Sequence, residues 1–122
     1  MTPFSLLLQL SGMSQREAAA YLEASPSSVD KWARGRRNPP DGVLDALRDL
    51  IGHQQEAAEN ALDLITEKNP TRVSLDLPAT DEAARRAGWH SVGAWSGMAA
   101  RIVAECRRPI TIKAPPDPAH TE

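Results

Sequence analysis

Two rhythms of apolar and polar positions divide this chain. Up to about Lys68 the apolar residues recur at three- and four-residue steps, the spacing of a helix face. Thr2 and Pro3 open a first helix through Leu10, with Phe4, Leu7 and Leu8 inward, and Ser11-Gly12 closes it. Ser14 and Glu17 form a capping box ahead of Ala18, Ala19 and Leu22. Ser25 caps a third helix, with Pro26 in the first helical position, where a missing N–H costs nothing. Val29, Trp32 and Ala33 form its inward face, and Gly35 ends it. Pro39-Pro40-Asp41 then reads as the start of a long helix carrying Val43, Leu44, Leu47, Leu50, Ile51, Ala58, Ala61, Leu62 and Ile65. Gly52 is a candidate bend within it, costing about 1 kcal/mol relative to Ala. The second half of this helix has an apolar stripe that nothing before it needs. Either the C-terminal segment or another subunit should cover that stripe.

Beyond Asn69-Pro70 the rhythm changes. Arg72 to Leu77 alternates strictly, predicting a half-buried strand with Val73, Leu75 and Leu77 on one side, stopped by Pro78. Thr80 caps a short helix from Asp81 to Ala87, and Gly88 ends it. A longer helix from Ser91 to Cys106 would turn Val92, Trp95, Met98, Ala99, Ile102 and Val103 inward. After Pro109, Ile110 to Lys113 alternates again as a second strand. The last stretch, APPDPAHTE, is proline-rich and polar, the composition of a disordered tail. The expected fold is mainly α: a helix-turn-helix domain at 1–68, a small α+β strand–helix–helix–strand domain at 69–113, and a tail at 114–122. Two lone strands do not make a stable sheet in water. A second copy of the chain is the simplest source of more, so Val73, Leu75, Leu77, Trp95, Met98, Ile102, Ile110 and Ile112 are the expected homodimer interface. On this reading the first 68 residues should fold alone as a monomer.

Composition changes this picture little, but charge placement matters. The net charge is −2 over 122 residues, which by itself does not suggest a nucleic-acid partner. Its distribution does. Residues 1–38 hold Arg16, Lys31, Arg34, Arg36 and Arg37 against Glu17, Glu23 and Asp30. The next thirty are strongly acidic. A local basic patch can bind phosphates while an acidic face points away. The single cysteine, Cys106, rules out an internal disulfide and reads as a small core residue. His53, His90 and His120 show no metal-ligand spacing with it, so no metal or cofactor is expected. No membrane-length apolar run and no leader pattern are visible, which points to the cytoplasm and away from a membrane.

The chemistry concentrates between Ser14 and Pro39. Two short helices joined by a tight turn form a helix-turn-helix, whose second helix can enter the DNA major groove. Ser14-Gln15, Glu17, Ala19, Ser25, the Val29 and Trp32 pair, Gly35 and Arg36-Arg37-Asn38-Pro39 resemble the Cro/C1, or Xre-type, phage-repressor family. The resemblance implies a lambda-repressor-like head and residue roles on it. Pro26, Ser27, Ser28 and Lys31 would face base edges. Ser hydrogen-bonds to several bases, Lys favours guanine, and Pro26 offers only apolar contact. Gln15 and Ser25, at helix N-termini, and Arg34, Arg36 and Arg37 would hold phosphates. One departure stands out: Glu23 occupies a turn position where the family often has Gly, so a longer or reshaped turn is expected. The whole layout is also similar to anti-CRISPR-associated phage repressors.

Other readings of these residues are plainer. The serines also serve as caps, and the arginines also suit a solvated loop. Trp32 and Trp95 at helical spacing are core or interface residues before they are stacking platforms, while Trp89, after a helix stop, has no assigned place. No phosphate loop, nucleophile elbow or paired carboxylates are present, so an enzyme is not expected. The reading is a dimeric repressor of a double-stranded operator with inverted-repeat symmetry, autoregulatory or carried by a phage or mobile element. Two alternatives stay open: an antitoxin that binds a toxin and represses its own operon, and a protein-interaction module with a degenerate helix-turn-helix. RNA also stays open as a partner.

Overall fold

A computed structural model describes residues 1–115. Four helices come first: α1 (Pro3–Ser11), α2 (Gln15–Leu22), α3 (Pro26–Arg34) and α4 (Val43–Lys68). Strand β1 (Val73–Asp76), helices α5 (Asp81–Arg86) and α6 (Val92–Glu105), and strand β2 (Ile110–Lys113) follow. The fold is mainly helical, with a small strand–helix–helix–strand unit at its C-terminal end. The tail expected from 114 onward lies almost wholly outside the described residues.

Caps set the starts of the helices. Thr2, Ser14, Ser25, Thr80 and Ser91 each accept a hydrogen bond from the third backbone N–H that follows. Such a cap is worth typically about 1 kcal/mol. At α1 and α2 the bond is returned, by the Ser5 hydroxyl and the Glu17 carboxylate respectively. Two boundaries differ from expectation. Helix α4 starts at Val43 rather than at the prolines, because Pro40 and Asp41 form a turn in which Val43 N–H reaches the Pro40 carbonyl. It then runs unbroken for 26 residues through Gly52, with Leu47 and Leu50 buried before that glycine and Gln54 and Ala58 after it.

One buried cluster runs through both halves of the chain. Phe4, Leu8, Ala18, Ala19, Val29, Trp32, Leu47 and Leu50 meet between α1, α2, α3 and α4. Trp89, Ala94, Trp95 and Ala99 continue the same cluster. Each large side chain enclosed in this way contributes about 1.5–3 kcal/mol relative to exposure. Helix α6 supplies the cover for the second half of α4, with Gln54 and Ala58 fully enclosed beneath it. Of the stripe expected on α6, Trp95, Ala99 and Ile102 are buried, while Val103 is 48% exposed on its outer side. Trp89 is buried with its ring 4.8 Å from that of His53. Cys106 ends α6 only half-buried, so it is a helix-end residue rather than a core one.

The strands β1 and β2 pair in parallel, Val73 opposite Ile110 and Leu75 opposite Ile112, as the only sheet among the described residues. Their apolar side chains therefore share one face and Ser74, Asp76, Thr111 and Lys113 the other. Cover fades along that face. Val73 is buried, Leu75 and Ile110 half-buried, and Ile112 is 45% exposed. Both outer edges of the sheet are without a neighbouring strand.

Candidate nucleic-acid interface

The geometry of α2 and α3 follows from what they bury. Val29 and Trp32 fix one face of α3 inward, Trp32 against Phe4 with ring centres 5.6 Å apart. A second anchor holds the far end. The Thr2 hydroxyl lies 3.3 Å from the Trp32 carbonyl, and Gly35 ends the helix at φ 78°. With that face buried, Ser27, Lys31 and Arg34 share the opposite one at helical spacing. Ser27 is exposed and Lys31 half-buried. A long basic side chain can lie along a helix and keep its ammonium in water.

The other expected contacts are placed less evenly. Pro26 is exposed in the first turn of α3. Ser28 is half-buried and tied into the cap: its N–H donates to Ser25 Oγ at 3.1 Å, and Ser25 Oγ donates to its hydroxyl at 2.9 Å. Gln15 is exposed in the first turn of α2. Arg34 is exposed but occupied, with its Nε 2.9 Å from Asp30 Oδ1 one turn back. Arg36 and Arg37 are exposed and form no ion pair among the described residues. Arg37 stands on the rim of a cleft of about 640 Å³ between the end of α3, the following loop and the start of α4, with Phe4, Trp32 and Leu44 in its walls.

Three residues, Glu23 to Ser25, join the two helices. Glu23 ends α2 in the left-handed region, φ 53° and ψ 45°, with its N–H directed to the Ala19 and Ala20 carbonyls. A non-glycine residue was expected to lengthen or reshape the turn to avoid a positive φ, and Glu23 does not avoid it. The αL conformation is adopted outright, and the Glu23 side chain points to solvent.

Three features escaped the sequence reading. The Asp30–Arg34 pair is an ordinary four-residue spacing and could have been found. Arg16 is exposed beside Gln15, with Asp81 3.8 Å away, and its position in the first turn of α2 was the available signal. The third is Glu17, which had been assigned only a local cap. Its Oε1 accepts from Ser14 N–H and its Oε2 from Gly93 N–H, each at 2.8 Å, so one carboxylate caps α2 and the start of α6 together. Burial pushes that carboxyl up. Hydrogen bonds from the Ser14 amide, the Gly93 amide and the Ser14 hydroxyl outweigh it and hold the group below its ordinary 4.5.

The residues expected at a homodimer interface separate into two groups. Val73, Trp95 and Ile102 are buried within a single chain, Trp95 and Ile102 because α6 lies against α1 and α4. A second copy has no access to them in this fold. Leu75, Leu77, Met98 and Ile110 are half-buried and Ile112 is exposed, so these keep surface that a partner could cover. Among the described residues no group of His, Cys, Asp and Glu is placed to hold a metal ion, and no helix is long and apolar enough to cross a membrane.

A family model described as helix-turn-helix matches residues 6–52, from within α1 to within α4. No curated protein matches the chain. The match contains α2 and α3 whole, while Thr2 and Phe4, which anchor α3, precede it and Gln54 follows it. Residues 6–52 are a Cro/C1-type helix-turn-helix, the unit of a DNA-binding regulator.

Proposed function

We propose that this regulator is a sequence-specific repressor that reads an inverted-repeat operator through the major groove as a homodimer. The observation that carries the reading is the division of α3. Val29 and Trp32 are buried on one side, and Ser27 and Lys31 are presented on the other, followed by exposed Arg36 and Arg37. A helix displayed in this way suits a groove, with short polar groups toward base edges and cations toward phosphates. Ser27 and Lys31 read bases, and Pro26 adds apolar contact. Ser28, engaged with Ser25, contributes to bases only by giving up that bond. Gln15, Ser25, Arg36 and Arg37 take phosphates, joined by Arg34 when it exchanges Asp30 for the DNA backbone.

Homodimerisation is supported by the sheet. A parallel pair of four-residue strands with two open edges and a thinning apolar face is below the size at which sheets stand alone. Like strands brought together across a two-fold axis run antiparallel and extend the sheet. The surface offered is then a sheet edge with Leu75, Leu77, Ile110 and Ile112, and Met98 on α6 keeps half-buried surface of its own. Two heads related by that axis place two copies of α3 on one side of the duplex. Selection of bound sequences from a random duplex pool at physiological salt tests both parts. The expected product is an inverted repeat whose half-site centres lie roughly 34 Å apart or a multiple of it. A pool that shows no enrichment would overturn the sequence-specific reading, and single, unrepeated sites would overturn the dimeric one.

A further inference from the structure

The unit that follows α4 is joined to the DNA-reading head with almost nothing between the two backbones. Gly12, at φ 81°, lies against α6 so closely that a Cβ there would come within 2.8 Å of the Gly93 carbonyl oxygen and 2.9 Å of Gly97 N. A Cβ at Gly97 would meet Gln54 Nε2 at 2.5 Å and lie closer still to the Ser11 carbonyl. At Gly12 the nearest atoms of α6 are all backbone, and the side chains that enter the crossing are those of Gln54 and Glu17.

Polar links then fix the register of the crossing. Gln54 is completely enclosed, and its Nε2 donates to the Ser11 carbonyl at 2.8 Å and the Ala94 carbonyl at 2.9 Å. One amide thereby satisfies the end of α1 and a carbonyl of α6 from a position on α4. On the other side, Glu17 joins the starts of α2 and α6. Asp81 Oδ1 accepts from Val92 N–H at 2.9 Å while its other oxygen faces Arg16, and Tyr21 meets His90 edge-on with ring centres 5.2 Å apart. Buried polar groups of this kind hold one arrangement because any slip leaves donors and acceptors unpaired.

We infer that Glu17 and Gln54 are positioning residues that set the half-site spacing this protein accepts, by making the head and the C-terminal unit one rigid body. The inference rests on the homodimer reading above. If the C-terminal unit joins two copies, each copy of α3 is held at one distance and one angle from the two-fold axis. One added or removed base pair moves a half-site by roughly 3.4 Å and turns it by about 35° around the helix axis. A dimer with hinged heads can follow such a change, and a dimer locked at α6 cannot. Neither residue touches DNA to produce this effect. Gln54 lies on α4, outside the helix-turn-helix pair, and Glu17 directs both carboxylate oxygens into backbone amides.

The test uses the full chain and its selected operator, remade with the half-sites one base pair closer and one farther apart. Binding is measured for the wild type, Glu17→Gln and Gln54→Met. Glutamine at 17 keeps the shape but cannot accept from both amides with a full charge, and methionine at 54 keeps the volume without the donors. The wild type should lose at least about tenfold on either altered spacing. Each variant should lose several-fold less than the wild type while matching its affinity for an isolated half-site. A wild type that binds all three spacings equally overturns the inference without recourse to any variant. So do folded, dimeric variants that keep the wild-type spacing profile. Sedimentation of the intact protein separates the two readings. A monomer at tens of micromolar removes the homodimer and this inference together, whereas a dimer with unchanged variant profiles removes only the inference.

Discussion

Single residues here carry strain, charge or recognition, and each has its own measurable signature. Glu23 is the strained one. An L-residue in the left-handed region is less stable by roughly 1–2 kcal/mol, and glycine at the same place loses more backbone freedom on folding. On balance Glu23→Gly should gain about 1 kcal/mol and raise the melting temperature by about 4 °C. A thermal melt that does not rise would mean that the turn carries no net strain. Glu17 is the charged one. Its folded-state pKa is lowered, so its contribution is complete above its ordinary 4.5 and is lost as pH falls through the lower folded value. Stability measured from pH 7 down to pH 3 should therefore fall less steeply for Glu17→Gln than for the wild type. Parallel curves would show that the carboxylate adds nothing specific. Ser27 and Lys31 are the recognition residues of the proposal. Replacing either by Ala should cost about 1–3 kcal/mol of discrimination at particular base pairs, read from competition between matched and mismatched duplexes. Equal weakening on every duplex would reassign them to phosphate contact.

At the scale of elements, most of what could be read from sequence is local. The caps at Thr2, Ser14, Ser25, Thr80 and Ser91, the stop at Gly35 and the alternation at Val73–Asp76 and Ile110–Lys113 all lie within four residues of what they control. Burial of Val29 and Trp32 likewise dictates that Ser27 and Lys31 face outward, so that side of the candidate site was legible too. What could not be read lies far apart in the chain. Gln54 and Glu17 look like surface residues in a periodicity reading, and their partners Ala94 and Gly93 are 40 and 76 positions away. Nothing in a local pattern says that α6 will run beside α4 and bury an amide. The start of α4 was misplaced because Pro40-Asp41-Gly42 suits a turn as well as a helix start. The Asp30–Arg34 pair gives an element-scale prediction. Arg36→Ala and Arg37→Ala should each lower the log–log salt slope of binding by about one unit, uniformly across sequences. Arg34→Ala should lower it less, because Arg34 trades an existing ion pair for any phosphate it takes. Equal slopes for all three variants, from titrations between 50 and 200 mM salt on the order of those used to count such contacts, would refute the distinction.

For the whole molecule, the shared core changes what a truncation is expected to do. A chain ending at Lys68 keeps Phe4, Val29, Trp32 and Leu47, so its helices have a nucleus to pack on. It loses α6, however, and with it the cover over Gln54 and Ala58, one partner of the Gln54 amide and one partner of Glu17. Removing contacts of several large side chains costs about 2–5 kcal/mol for each well-packed one, a large share of a small domain's stability. The truncated head should therefore melt far below the intact chain, and weak DNA binding by it would confound lost fold with lost dimer. A double substitution separates the two. Ile110→Lys with Ile112→Lys places charges on the thinly covered face of β2 while α6 stays seated on the head. Charges on an edge strand discourage pairing with a second copy. The expected result is a full-length monomer by sedimentation, with a melting temperature far above that of the truncated head and operator binding weaker by about 10²–10⁴. Its affinity for an isolated half-site should be unchanged, because α2 and α3 are untouched. If the doubly substituted chain still sediments as a dimer, the sheet is not what joins two copies. If it is monomeric yet binds the full operator as tightly as the wild type, dimerisation contributes nothing to recognition.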